Sequence, residues 1–389
     1  MSLLSRNTWQ LAALRRGYSY IHRPKPKEPH ILGPSHIWRK CYLVHTNKNI
    51  YDPVPSFQWL TKSALIDGLP DCLANRELFS QNVIDDFRLR ATEVLAKQEQ
   101  RRSYKGNIIY LDVTRSFLQG VLPALWNLGK EHAHLDNCSV AYQPHIETFW
   151  MRHGFKFVCK TSPSYLLHTA YALPLLHEDV SFKGNDSIPT NQYHPRHLYL
   201  FEHSFNELRP FCGYRLGSSY TFCHTLLITD TFNNDREHHI SNGLLSLFAQ
   251  ASAQTLQYGY KQNKDLYFPL TSQAIITNGR TFTFLCFQLN TLDMREDLGA
   301  WNICWAGPTL PLYDRIEDGE LVGFNEECVQ LLLQVLTNPP GRHKPIYTGF
   351  KLAYIEQLKR KQKWDKKAKK IYESFKEKAE ARGNIPFKL

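Results

Sequence analysis

Three short stretches bring together side chains suited to acid–base or metal chemistry. "NDREHHI" sets Glu237 beside His238 and His239. A helical zinc site needs another imidazole at the matching spacing, and position 234 is Asn. Catalytic zinc asks for three convergent ligands, so a polar helix start is the plainer reading. "EHAHLDNC" offers His132, His134 and Cys138, but no second ligand pair at finger spacing follows, which favours a polar loop. "ETFWMRHG" groups Glu147, Arg152 and His153. Without a partner constellation these read as solvated charges at a strand end rather than an acid–base pair. A fourth set, Gln288, Asn290 and Thr291, closes "NGRTFTFLCFQLNTL". Gln and Asn do not titrate, so neither can act as general acid or base. Amide and hydroxyl groups at a strand's end are well suited to satisfying backbone polar groups where the chain leaves a sheet, and a corner clamp is expected. No phosphate loop, dinucleotide fingerprint or nucleophile elbow is present.

The elements that position these residues are legible in the spacing. Phe79, Val83, Phe87, Ala91 and Val94 recur at helical intervals between 76 and 97. "NIIYLDV" (107–113), "HIETFWM" (145–151) and "SYTFCHTLLI" (219–228) read as strands, and 160–200 as irregular. Leu244, Leu247, Phe248, Ala251 and Thr255 form a helical stripe over 243–259, ended by Gly259. Asn278-Gly279 between apolar runs predicts a hairpin with a type I′ turn, its strands at Ser272–Thr277 and Thr281–Leu289. The second strand is apolar on both faces and belongs inside a sheet. "WNICW" (301–305) is a further strand. A last helix starts from Asn325 as N-cap, shows Cys328, Leu331, Leu332, Val335 and Leu336 on one face, and stops at Pro339-Pro340. The fold class expected is mixed α/β (α+β): a largely antiparallel sheet covered by helices, with an extended N-terminal arm and a basic C-terminal helix.

Charge divides the chain of 389 residues sharply. The net charge of +11 comes from the ends: residues 1–30 hold six Lys/Arg and one Glu, and residues 351–389 hold thirteen Lys/Arg and five Asp/Glu. The remainder is nearly neutral. Cationic ends suit arms that reach a polyanion or pass an import channel. "MSLLSRNTWQLAALRRGYS" lacks acids and gathers Leu3, Leu4, Leu11 and Leu14 on one helical side, the composition of a mitochondrial transit peptide (1–18). Cleavage is expected between Tyr18 and Ser19. An extended arm (19–50), a globular α/β body (51–345) and a basic helical tail (346–389) follow. Nine scattered cysteines without a C-x-x-C pair are expected as free, mostly buried thiols. No run is long and apolar enough to span a membrane.

"SLFAQASAQ" (246–254), "SQAIITNGRTFTFLCFQLNTL" (272–292), "NICW" (302–305), "PLYDRIEDGELVGFNEE" (311–327) and "LLQVLTNPP" (332–340) together resemble the programmed cell death protein nine family of mitochondrial ribosomal proteins. The resemblance is dense over 240–340, with "WLTKSALIDGLP" (59–70) and "ETFWMRHG" looser. A paralogous family, large-subunit mitoribosomal protein thirty-seven, shares "WLTK…GLP" and the "FQLNT" corner. The resemblance implies a structural component of the large subunit in the mitochondrial matrix, with no catalytic or metal residues and no cofactor. Its implied partners are mitochondrial rRNA and large-subunit proteins, the paralogue protein thirty-seven among them. The tail lies beyond the shared pattern. Lys359, Arg360, Lys361, Lys363, Lys366, Lys367, Lys369 and Lys370 can follow phosphates along a helix, and Trp364 can stack on an unpaired base. A matrix nucleic-acid-processing enzyme with a diverged site is the competing reading.

Overall fold

The turn at Asn278-Gly279 organises the centre of the molecule. The computed structural model describes residues 40–45, 53–74, 76–105, 135, 138–179, 182, 193–205, 208–214, 218–230, 235–257, 260, 262–341, 366 and 370. The expected transit peptide, most of the arm, the 107–113 strand, His132, His134, Gly259 and all but Lys366 and Lys370 of the tail's candidates lie outside these residues. The hairpin joins β10 (Asp265–Thr277) to β11 (Thr281–Thr291) in the expected place, with Ala274 opposite Leu285. Its turn differs from type I′: Gly279 has φ +94°, but Asn278 does not share the left-handed conformation. Instead the Asn278 Oδ1 accepts from the N–H groups of Arg280 and Thr281 at 2.9 and 2.8 Å. The side chain caps the turn that a second positive φ would otherwise have closed.

Around this hairpin a seven-stranded sheet forms in the order β2-β12-β11-β10-β9-β6-β3. The added strands are β2 (Ser63–Asp67), β3 (Cys138–Tyr142), β6 (Tyr165–Thr169), β9 (Phe222–Thr229) and β12 (Asn302–Pro311). Only β9–β10 and β2–β12 pair in parallel; the other junctions are antiparallel. A second sheet, β7-β1-β5-β4-β8, comprises β1 (Lys40–Val44), β4 (Ile146–Arg152), β5 (Phe155–Thr161), β7 (Glu202–Ser204) and β8 (Phe211–Cys212). A small hairpin pairs β13 (Arg315–Glu317) with β14 (Glu320–Val322). The described helices are α1 (Pro53–Thr61), α2 (Asp71–Ala74), α3 (Gln81–Lys105), α4 (Arg236–Gln257) and α5 (Glu326–Leu336). The fold is thus mixed α/β, with largely antiparallel sheets and helices against them. Two expectations need correcting. β1 falls inside the stretch expected as an arm, and with Cys41 and Val44 buried the packed body begins before residue 51. The stretch 160–200, expected as irregular, contributes β6, all five residues of which are buried.

β11 explains why its sequence is apolar on both faces. Phe282, Phe284 and Cys286 enter one core, shared with Phe87 and Ala91 of α3 and Leu332 and Val335 of α5. Leu285, Phe287 and Leu289 enter another, shared with Leu244, Leu247 and Phe248 of α4 and with Trp150 and Phe157 of the second sheet. A strand lined by side chains on both faces has no solvated side to make polar. At the start of α5, Asn325 accepts from the Cys328 N–H at 3.2 Å and so caps the helix as its sequence position implies.

Helix α4 lies close enough to the sheet that one position admits no side chain. A Cβ at Gly243 would stand 2.1 Å from Leu285 Cδ1 and 2.8 Å from Ile276 Cδ1. Both neighbours are buried core side chains, so their terminal methyl groups must repack to make way. Gly243→Ala is therefore expected to destabilise the full chain by about 1–2 kcal/mol, because overpacking outweighs the roughly 1 kcal/mol by which alanine favours a helix. A rise in the urea midpoint of this variant would refute the close approach.

Candidate functional site

The polar groups at the end of β11 converge with three other segments. Gln288 is fully buried and makes four hydrogen bonds. Its Oε1 accepts from the N–H groups of Leu176 (2.9 Å) and His177 (3.0 Å), and its Nε2 donates to His177 O (2.9 Å) and Asn290 Oδ1 (3.0 Å). That is the whole capacity of a primary amide. Asn290 Nδ2 donates to Trp301 O at 2.8 Å. Thr291 Oγ1 accepts from the Asp293 N–H at 2.8 Å. From β12, Asn302 Oδ1 accepts from the N–H groups of Asn290 (2.9 Å) and Thr291 (3.0 Å), while its Nδ2 donates to Thr61 O (3.0 Å). The side chains take over the backbone pairing where the ladder ends. This is the corner clamp that the residue types indicated.

Beside the clamp stand two buried cations. Lys62 ends α1 in a left-handed conformation, φ +47°, and its Nζ donates to Asp293 O (2.9 Å) and Leu298 O (2.6 Å). Burial, then the nearby Arg152 guanidinium, holds its pKa below the ordinary lysine value. Arg152 was expected at a solvated strand end and is instead fully buried. Its Nε donates to Trp59 O at 2.8 Å, Nη1 to Met294 O at 3.3 Å, and Nη2 to the Asp297 carboxylate. The guanidinium carbon also lies 5.3 Å from the centre of the Trp59 ring. Trp150, two residues earlier, donates from Nε1 to Leu60 O at 2.9 Å. "WLTK", "FWMRHG", "FQLNT" and "NICW" thus meet at one junction between the two sheets. Lys62 and Asn302 were not singled out by sequence reasoning. The available signal at Lys62 was a lone cation in the otherwise uncharged run "SFQWLTKSALI", where a solvated charge is out of place.

The remaining candidates disperse. Glu147 faces away from Arg152 and meets Lys160 at 3.0 Å and His145 at 3.2 Å. Burial pushes its carboxyl pKa up, but these two partners outweigh that and hold it below the usual range. His239 bonds Thr283 Oγ1 at 3.0 Å, whereas His238 Nε2 meets Asp230 Oδ2 at 3.1 Å. Among the described residues no three His, Cys, Asp or Glu groups gather as a metal would require. All nine cysteines are free, and seven are buried. Burial pushes the Cys212 thiol up to about 12, making it a poor nucleophile.

The Asp230–His238 pair has a definite pH signature. The hydrogen bond that His238 donates to Asp230 raises the His238 pKa. For Asp230, burial alone would raise the carboxyl, but the His238 partner outweighs it and leaves the pKa lowered. A raised histidine contributes fully below its unfolded value of about 6.5 and loses that contribution as pH climbs through the folded value. A lowered aspartate contributes above its unfolded value of about 3.9 and loses that contribution as pH falls through the folded value. The pair therefore stabilises most between about pH 4 and 6.5. His238→Gln is expected to flatten the decline of the melting temperature between pH 6 and 8. An unchanged slope would remove the pair from this role.

Of the tail's candidates, Lys366 and Lys370 are helical and exposed. Tyr18, Ser19, Lys359, Arg360, Lys361, Lys363, Trp364, Lys367 and Lys369 lie outside the described residues.

Comparison with known proteins agrees with the motifs gathered at the junction. The family model described as "Mitochondrial 28S ribosomal protein S30 (PDCD9)" matches residues 29–165 and 167–340. "Large ribosomal subunit protein mL37" of Bos taurus is 26% identical over 306 residues, 75% of this chain and 70% of the relative. The Rattus norvegicus protein of that name is 25% identical over 292 residues, 72% and 68% of the two chains. The Gallus gallus protein of that name is 22% identical over 340 residues, 82% and 74%.

Proposed function

Because the chain belongs to the family of mitochondrial 28S ribosomal protein S30 (PDCD9), we propose that it is a structural component of the mitochondrial ribosome's large subunit, supporting mitochondrial translation. The relatives' own name places them in the large subunit, which supports that assignment over the small-subunit wording of the family description. A non-enzymatic role fits the junction: the polar side chains gathered there are each engaged in holding one segment to another. That engagement, complete at Gln288, is the observation that carries the reading. No observation favours a nucleic-acid-processing enzyme.

The nearly neutral body serves as the scaffold against neighbouring large-subunit proteins, the paralogue protein thirty-seven among them. The basic tail, from Lys359 to Lys370 with Trp364, reaches rRNA by releasing counterions from phosphates. Residues 1–18 direct import and are removed after Tyr18, which places the mature chain in the matrix. Sedimentation of mitochondrial lysate tests the reading. Co-migration with the large subunit in magnesium and after EDTA separates the subunits is the expected result. Free sedimentation in both conditions would refute it.

A further inference from the structure

The start of α3, the start of α5 and the β13–β14 hairpin are tied into one corner of the molecule. The Phe79 N–H donates to Gln330 Oε1 at 2.8 Å, and Gln330 Nε2 donates back to Phe79 O at 3.0 Å. Two residues on, Gln81 Nε2 donates to Asp85 Oδ1 (3.2 Å) and to Glu326 Oε1 (3.1 Å), so it bridges the two helices. The Arg88 guanidinium carbon lies 5.2 Å from the centre of the Phe324 ring, just ahead of α5. The hairpin joins the same corner: the Asn325 N–H donates to Leu312 O at 2.9 Å, and the Asp314 N–H to Val322 O at 3.0 Å.

Exposed carboxylates crowd this corner. Glu77 and Asp85 stand just before and within α3, Glu326 and Glu327 on the first turn of α5, and Asp314, Asp318 and Glu320 on the hairpin. None of these seven is in an ion pair among the described residues. The cations nearby are mostly committed elsewhere. Arg90 meets Asp86 at 2.9 Å, and Arg315 meets Glu317. Arg76 donates to the carbonyls of Gln334 and Thr337 at the far end of α5. Only Arg88 and Arg280 then stand against seven carboxylates, in a chain whose net charge is +11. The positive end of α5 accounts for Glu326 and Glu327. Nothing comparable offsets the hairpin, where Glu317 and Glu320 are register partners across the Asp318-Gly319 turn and Arg315 answers Glu317 alone. Like charges set opposite one another cost stability. Among the carboxylates stand two apolar side chains. Leu78, 74% exposed, follows Glu77, and Leu89, 62% exposed, lies one helical turn after Asp85.

We propose that this corner receives a lysine- or arginine-rich polypeptide segment of a neighbouring protein, whose apolar side chains cover Leu78 and Leu89. Charge selects the class of occupant. Carboxylates without cationic partners repel phosphates and complement basic protein side chains, and the occupant supplies the charge that the hairpin lacks. The chain's own tail does not supply it: Lys366 and Lys370 are exposed and form no ion pair with these carboxylates. Two leucines beside the acids give the same segment an apolar contact, which ordinary solvated charge would not need. The inference rests on the ribosomal reading and deepens it, giving the chemistry of one protein contact.

The full chain, carrying photoreactive benzoylphenylalanine at position 89, is tested in mitochondria depleted of the endogenous protein. Large subunits are isolated on a gradient and irradiated. The expected adduct joins position 89 to a Lys- or Arg-rich segment of another protein. Adding Asp85→Lys with Glu320→Lys is expected to lower the adduct yield about tenfold, because like charges then face the partner. Both positions are exposed and in no ion pair, so an unchanged urea midpoint is expected. If the midpoint falls, Asp85→Asn with Glu320→Gln is read instead, with a smaller drop in yield expected. An adduct to RNA, to a second copy or to this chain's own tail overturns the inference, as does an undiminished yield from folded charge variants. Absence of any adduct in a chain that co-sediments with the large subunit also overturns it and leaves the ribosomal reading standing. If the chain does not co-sediment at all, the ribosomal reading fails and takes this inference with it.

Discussion

Replacing Arg152 with methionine is expected to lower the unfolding free energy of the full chain by about 3 kcal/mol, read from urea denaturation followed by tryptophan fluorescence. Methionine fills much of the same volume, so the loss reports hydrogen bonding more than packing. Met294 O would lose its donor, at roughly 1–3 kcal/mol if it stays buried, and Trp59 O would be left with the Lys62 N–H alone. Asp297 adds less, because its side chain is 40% exposed and water can replace the guanidinium. Arg152→Lys keeps the charge without the planar fork that serves three acceptors at once, and an intermediate loss is expected. A change below about 1 kcal/mol for methionine would mean that the buried cation is replaceable, as some buried ion pairs are.

Asn302 is expected to be at least as sensitive. In Asn302→Leu the N–H groups of Asn290 and Thr291 lose their partner in a fully buried corner, and the carbonyl of Thr61 is left with the Ser63 hydroxyl alone. Two orphaned N–H groups at about 1–3 kcal/mol each, with the weakened Thr61 carbonyl, give a loss of about 3–5 kcal/mol. Asn325→Ala provides the comparison, since an exposed-end helix cap is worth about 1 kcal/mol. The ranking Asn302→Leu well above Asn325→Ala is the result expected in urea titration. Comparable effects would show that the corner relaxes or admits water, and that the clamp is weaker than its geometry indicates. The two positions share the 291–302 connection, so their combined effect is expected to be less than additive.

Features governed by neighbours in the chain were legible without coordinates. The β10–β11 hairpin, the stripe of α4 and the Asn325 cap of α5 follow from turn chemistry and periodicity within about ten residues. The non-catalytic character of Gln288 and Asn290 followed from functional groups that do not titrate. Even the turn at Asn278 was placed correctly, although the way its backbone is satisfied depended on a side-chain rotamer that composition does not specify.

Tertiary structure alone decided which charges would be buried. Arg152 sits on a strand whose alternation carries no mark of what will cover it, and it is buried because distant segments supply its partners. Arg152 reaches Trp59 across 93 residues, and Lys62 reaches Leu298 across 236. Likewise the parallel pairing of β2 with β12 and of β9 with β10 joins strands that no turn connects. Local backbone energetics, written in nearest neighbours, set the elements and their caps. The order of strands and the burial of a cation depend on closing long loops around a shared core, where the energy lies between residues that are far apart in the chain.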